Sequence, residues 1–263
     1  MAVIQCEYYS NALCGFTSFA AILPIDLPPT AELPPRYAAG PWPTLYLLHG
    51  YSGAHNDWLR NSPVEALAAQ YGIAIIMPEG GNRFWVDNAE TNIRAGEFLG
   101  RELVQVTRTM FNLSHKREDT FIGGLSMGGY GALHTALAWP ERFSACIALS
   151  SALRIHAIAA GRQDGIMPPA MFRDVFGDPA SLLDSDRNPE YQYSALRAVG
   201  KDIPAIYLAI GTEDSLYDAN QEFRRFLEAQ GADFCYEEGP GGHNWTFWNR
   251  YIDRGLSWVL RPE

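Results

Sequence analysis

The 263-residue sequence predicts an α/β protein with a mainly parallel central sheet and helices on both faces. Two observations carry that prediction. Apolar runs of strand length, such as "TLYLLHG", "YGIAIIMPEG", "DTFIGGLS", "FSACIALSS" and "IPAIYLAIG", are near-continuous rather than alternating, as strands buried on both faces must be. Segments with helical periodicity separate them, the order that βαβ crossovers produce.

Taken in order, Val3 to Ile25 carries two aromatic-rich runs split by "SNALCG", which predicts an antiparallel pair at a sheet edge. The proline-rich stretch Asp26 to Pro43 is expected to be a restrained surface loop. The strand "TLYLLHG" comes next. Ser62 is expected to open a helix with Pro63 in its first turn, and "YGIAIIMPEG" is a strand stopped by Pro78 and Gly80. "NIRAGEFLGRELVQVTRTMF" predicts an amphipathic helix burying Phe98, Val104, Val106 and Met110. "DTFIGGLS" then feeds the helix "MGGYGALHTALAWP". After "FSACIALSS", residues 153–199 have weak periodicity and several prolines, and are expected to form a cap over the carboxyl edge of one domain spanning 1–263. "LYDANQEFRRFLEAQGA" predicts a helix stopped near Gly231, "DFCYEEGPG" a last strand and "TFWNRYIDRGLSWVL" a last helix.

Parallel strands direct their carboxyl ends to one edge of a sheet, where ligands bind. At that edge Gly124-Leu125-Ser126-Met127-Gly128 fits G-x-S-x-G between a strand and a small-residue helix. The pattern lifts a serine on a tight turn, with glycines where strand and helix backbones approach. A hydroxyl needs an adjacent base to become a nucleophile. Of six histidines, His49 ends a buried strand, His134 lies two turns along the helix, and His115 and His156 follow no strand. His55 precedes the serine. His243, in the glycine-rich loop after the last strand, completes the chain order serine, acid, histidine. "IGTEDSLYDAN" supplies the acids Glu213, Asp214 and Asp218; Asp214, just past the strand, is favoured, and helix capping would account for Asp218. The Met127 and Tyr51 amides are the expected oxyanion donors, Tyr51 following the "HG" turn.

Four blocks, "YLLHGYSGAHNDWLR", "FIGGLSMGGYGALHTAL", "IGTEDSLYDAN" and "GGHNWTFWNRYI", together with the opening "MAVIQCEYYSNAL", resemble the tributyrin esterase and acetyl esterase branch of the esterase D family. That family includes S-formylglutathione hydrolases and shares the α/β-hydrolase core with feruloyl and acetylxylan esterases. The resemblance implies Ser126 as nucleophile, Asp214 as acid, His243 as base, and Tyr51 and Met127 as oxyanion-hole amides. It implies hydrolysis of short acyl esters, acetyl to butyryl, with acetylated sugars among the substrates, and a homodimer or homotetramer by analogy with relatives. Feruloyl esterase activity is the next reading, then S-formylglutathione thioesterase, then a non-catalytic binding protein on the same scaffold. Trp245, two residues beyond His243, leads the pocket candidates, with Trp248 and, in the expected cap, Met167, Met171 and Phe172; core packing would equally account for each.

Composition narrows the alternatives. With 20 Lys and Arg against 30 Asp and Glu, a net charge of −10 opposes binding to nucleic-acid backbones or anionic membranes. Cys6, Cys14, Cys146 and Cys235 form no CxxC pair. Phosphate-loop, dinucleotide and H-E-x-x-H zinc signatures are absent from the sequence, so no metal or organic cofactor is expected. The opening residues lack a basic segment followed by an apolar stretch, and a cytoplasmic protein is expected.

Overall fold

The computed structural model describes residues 1–25, 40–88, 90–162 and 168–260. Eight strands form one sheet in the order β1-β2-β4-β3-β7-β8-β9-β10: β1 (Ala2–Ser10), β2 (Gly15–Leu23), β3 (Thr44–Leu48), β4 (Ala74–Pro78), β7 (Thr120–Leu125), β8 (Ala145–Leu149), β9 (Ala205–Gly211) and β10 (Phe234–Gly239). A small separate hairpin is made by β5 (Asp87–Asn88) and β6 (Ile93–Arg94). The last six strands of the sheet order run parallel, and β2 joins them antiparallel through Phe19 opposite Pro78. Burial explains the arrangement. Strands β3, β4, β7 and β8 are buried at every residue, whereas β1 alternates half-buried and exposed positions down to Tyr9, as an edge strand with one wet face does.

Helices cover both faces because strand side chains alternate. Leu45 and Leu47 of β3 share a core with α2 (Val64–Tyr71) and α10 (Trp245–Val259), while Tyr46 and Leu48 meet α4 (Leu103–Met110) and α5 (Met127–Ala138) on the other side. Each such Leu or Ile, removed from water, contributes about 1.5–3 kcal/mol. Chain order reverses at β3: β4 is added on one side and β7 on the other. This is the switch point where crossovers diverge and a crevice opens at the carboxyl edge.

The predicted α/β-hydrolase architecture is therefore the observed one, with local differences. The helix expected from Ser62 starts at Val64, and a short α1 (Asp57–Asn61) precedes it. The segment expected to be one regular helix begins as strand β6 of the small hairpin, then runs through α3 (Ala95–Glu97) and a π turn, Phe98–Glu102, into α4. A π turn takes up an extra residue and rotates the helix beyond it. The buried set is consequently Phe98, Leu99, Leu103, Val104 and Thr107, and Met110 is 50% exposed instead of packing inward. Most of the proline-rich stretch, residues 26–39, lies outside the described residues.

Between β8 and β9 the chain crosses the carboxyl edge through α6 (Ile155–Ala159), α7 (Pro169–Phe176) and α8 (Pro189–Ala198), before α9 (Tyr217–Gln230) follows β9. Pro169 in the first turn of α7, and Pro189 behind an Asn188 cap in α8, start these helices where proline costs nothing. No helix among the described residues is long and apolar enough to cross a membrane.

Candidate active site

Ser126, between β7 and α5, has φ 55° and ψ −118°, a backbone region that a side-chain-bearing residue rarely occupies. Such a conformation costs on the order of 1–3 kcal/mol and persists only where its surroundings fix it. Here the Ser126 N–H donates to the Leu149 carbonyl at 2.9 Å, and its own carbonyl accepts from Tyr130 at 3.1 Å and Ala152 at 3.0 Å. The flanking glycines permit the turn. A Cβ on Gly124 would stand 2.6 Å from the Gly128 carbonyl, and one on Gly128 would stand 2.6 Å from the carbonyl oxygens of Leu48 and His49. Helix α5 starts at Met127, so its positive end faces the Ser126 hydroxyl.

Three distant segments meet at that hydroxyl. His243 Nε2 lies 3.0 Å from Ser126 Oγ, and its Nδ1 lies 2.9 and 3.1 Å from the two carboxylate oxygens of Asp214. The Asp214 side chain is fully buried. Burial alone would raise its pKa, but hydrogen bonds from His243, from the Leu216 amide at 2.9 Å and from Ser150 outweigh it and hold the carboxyl below its ordinary range. The ring proton of His243 is thereby placed on Nδ1, leaving Nε2 as an acceptor towards the serine.

The other sequence candidates go elsewhere. Glu213 accepts from the Gly241 amide and the Thr212 hydroxyl, pinning the histidine loop, and these bonds hold it below the usual carboxylate value. Asp218 sits on α9 at the cavity rim. Among the histidines, His55 pairs with Glu79 and His156 with Glu190, while His134 is buried on α5.

A cavity of about 680 Å³ opens beside Ser126. Tyr51, Phe84, Phe172 and Phe176 give it an aromatic wall, Phe84 standing 5.2 Å from Phe176 and 6.4 Å from Tyr51 between ring centres. Arg154, Arg162, Asp218 and Glu222 supply charge to its lining. Met127 lines it as well, and neither the Met127 nor the Tyr51 amide donates to a protein acceptor among the described residues.

The pocket candidates divide. Phe172 lines the cavity; Met171 contacts it indirectly, accepting from the Tyr51 hydroxyl at 3.5 Å while lining a smaller neighbouring pocket. Met167 lies outside the described residues. Trp245 and Trp248 are not among the cavity-lining residues: α10 begins at Trp245, whose ring turns to Trp58 at 5.0 Å in the core behind the histidine. Trp248 packs perpendicular to the His243 ring at 5.0 Å, and its Nε1–H donates to Ser150 Oγ at 3.0 Å. Its place is behind the base, supporting it. Sequence reasoning missed Phe84, Phe176 and Ser150. Phe84 sits at φ 52° in an irregular loop that no periodicity marks, and Ser150, at φ 44°, had a signal only in its position one residue past β8.

Comparison with known proteins agrees with this geometry. The family described as "Putative esterase" matches residues 25–259. An acetyl esterase of Caldicellulosiruptor saccharolyticus is 42% identical over 264 residues, covering 99% of each chain. Among solved structures, the substrate-bound fluorophosphonate-binding serine hydrolase F of Staphylococcus aureus superposes with a TM-score of 0.86 at 27% identity, over 99% of both chains. An S-formylglutathione hydrolase from the same organism gives 0.83 at 26%, also over 99% of both.

Proposed function

The chain belongs to the esterase family, a serine ester hydrolase acting on small acyl substrates, and from that premise we propose that it cleaves short-chain acyl esters, acetyl to butyryl, through a Ser126–His243–Asp214 triad. The single observation that supports this most is the continuous hydrogen-bonded line from Asp214 through His243 to Ser126 Oγ at the switch point of the sheet.

In this reading His243 Nε2 takes the Ser126 proton as Oγ attacks the ester carbonyl, and the tetrahedral oxyanion is met by the amides of Met127 and Tyr51. Asp214 holds the ring in the tautomer that can accept and stabilises the imidazolium that forms. His243 then gives its proton to the leaving alcohol, leaving an acyl-Ser126 ester. Water, deprotonated by the same nitrogen, attacks that ester, and His243 passes the proton to Ser126 Oγ as the acyl–Oγ bond breaks, releasing the carboxylic acid and restoring the free serine. The described residues act as one catalytic unit, with 153–162 and 168–199 of the proposed cap, 153–199, over the crevice. The 42%-identical acetyl esterase supports acetyl esters as the substrate class, and acetylated sugars are among the acetyl esters we propose.

A second reading has its own support. The aromatic wall of Tyr51, Phe84, Phe172 and Phe176 suits a flat aryl acyl group such as feruloyl, and the cavity is far larger than an acetyl group needs. A kinetic panel of acetyl, butyryl, octanoyl, feruloyl and S-formylglutathione substrates on one preparation separates the readings. The highest kcat/KM is expected for acetyl or butyryl esters; a feruloyl maximum would transfer the assignment to aryl esters, and an S-formylglutathione maximum to thioester cleavage.

A further inference from the structure

His49 is buried, 1% exposed, and both its ring nitrogens are engaged. The Gly80 amide donates to Nε2 at 3.1 Å, which requires a bare Nε2 and therefore a proton on Nδ1. Nδ1 lies 2.8 Å from the Gly50 carbonyl oxygen and so donates to it. A second donor, the Gly53 amide at 3.1 Å, meets the same oxygen. Burial keeps the ring neutral by holding it below the usual imidazole value, although Glu79 Oε1 stands 3.6 Å from Nε2.

The Gly50 carbonyl shares its peptide plane with the Tyr51 N–H. In a trans peptide the two groups point in opposite directions, so fixing the oxygen fixes the direction of the N–H. The turn that carries them is pressed against the nucleophile: a Cβ on Gly50 would stand 2.8 Å from Leu125 Cδ1 and 3.5 Å from Ser126 Cβ. The far end of the tether is anchored too. Gly80 follows Glu79, whose carboxylate accepts from the Gly81 amide at 3.0 Å and from the His55 amide at 3.1 Å, tying the turn after β4 to the loop after β3.

We propose that His49 is a positioning residue for the oxyanion hole: its Nδ1–H holds the Gly50 carbonyl and thereby aims the Tyr51 amide at the developing oxyanion. The proposal rests on the reading of the Tyr51 amide as an oxyanion donor. His49 touches no reacting atom, and its effect falls on the transition state rather than on substrate affinity.

Two isosteres separate its two bonds. In His49→Asn the side-chain N–H occupies the place of Nδ1 and keeps the Gly50 carbonyl, whereas His49→Gln reaches only the place of Nε2. With 4-nitrophenyl acetate, His49→Gln should lose about 10–100-fold in kcat with KM within about two-fold, part of the loss that follows removal of an oxyanion donor. His49→Asn should stay within about five-fold of wild type at a comparable Tm. Equal losses in both folded variants, or none in His49→Gln, would overturn the proposal. If neither variant folds, ¹⁵N NMR of histidine-labelled wild-type protein decides it: a protonated Nδ1 and bare Nε2 on His49 are required, and the opposite tautomer refutes it. Full turnover in Ser126→Ala would instead sink the reading of the site while leaving the tautomer result standing.

Discussion

Replacing Asp214 by Asn tests the triad through one proton. The Leu216 amide donates to Asp214 Oδ1 at 2.9 Å, so an asparagine must keep its carbonyl oxygen there or leave a buried N–H without an acceptor. Its NH2 then takes the place of Oδ2, 2.9 Å from His243 Nδ1. Two donors cannot face each other, so Nδ1 becomes the acceptor and the ring proton moves to Nε2. That proton points at Ser126 Oγ, 3.0 Å away, and the base can no longer accept. Loss of the acceptor costs about 10³–10⁴-fold in kcat, or about 4–5.5 kcal/mol of transition-state stabilisation. The assay is steady-state hydrolysis of 4-nitrophenyl acetate, with active sites counted by a fluorophosphonate. An Asp214→Asn enzyme within ten-fold of wild-type kcat would refute the reasoning, and an equal loss confined to Asp218→Asn would move the acid to α9.

Three other outcomes are expected. Gly128→Ala would set a methyl 2.6 Å from two backbone carbonyl oxygens and should lose about 3 kcal/mol or more of stability in urea unfolding, together with fluorophosphonate labelling; wild-type stability would remove the close-approach argument. His134, buried with its pKa lowered to about 4 by desolvation, stays neutral in the folded protein while the unfolded chain takes up its proton below about 6.5. Stability from this group is therefore intact at pH 7, falls as pH drops from about 6.5 to about 4, and is then flat, a loss of about 3 kcal/mol. His134→Phe should flatten that part of the profile, and an unchanged slope would assign it to other groups. Phe172→Ala should enlarge the cavity and raise the octanoyl-to-acetyl ratio of kcat/KM by about ten-fold; an unchanged ratio would place the acyl chain elsewhere.

The sheet was legible because burial on both faces writes itself into a strand as an unbroken apolar run, as in "TLYLL" and "ACIAL". The nucleophile turn was legible because Gly124 and Gly128 are demanded by backbone contact, not by taste in composition. Chain order then selected His243 and the strand end selected Asp214, and these are the side chains that the structure brings to Ser126. Direction was not legible. Trp245 is two residues from His243 in sequence, yet the start of α10 turns it towards Trp58 and the core. Met110 was assigned inward because the period of a regular helix hides the rotation that a π turn introduces. Phe84 and Phe176 reach the cavity from segments 92 positions apart in number, and only the assembled fold makes them neighbours.

An acyl-enzyme is the most direct test. Wild-type protein mixed with 4-nitrophenyl acetate and quenched within the burst phase should carry one acetyl group, which peptide mass spectrometry locates on Ser126, and Ser126→Ala should carry none there and turn over negligibly. Acetyl found on another residue, or hydrolysis by Ser126→Ala within ten-fold of wild type, would contradict the account.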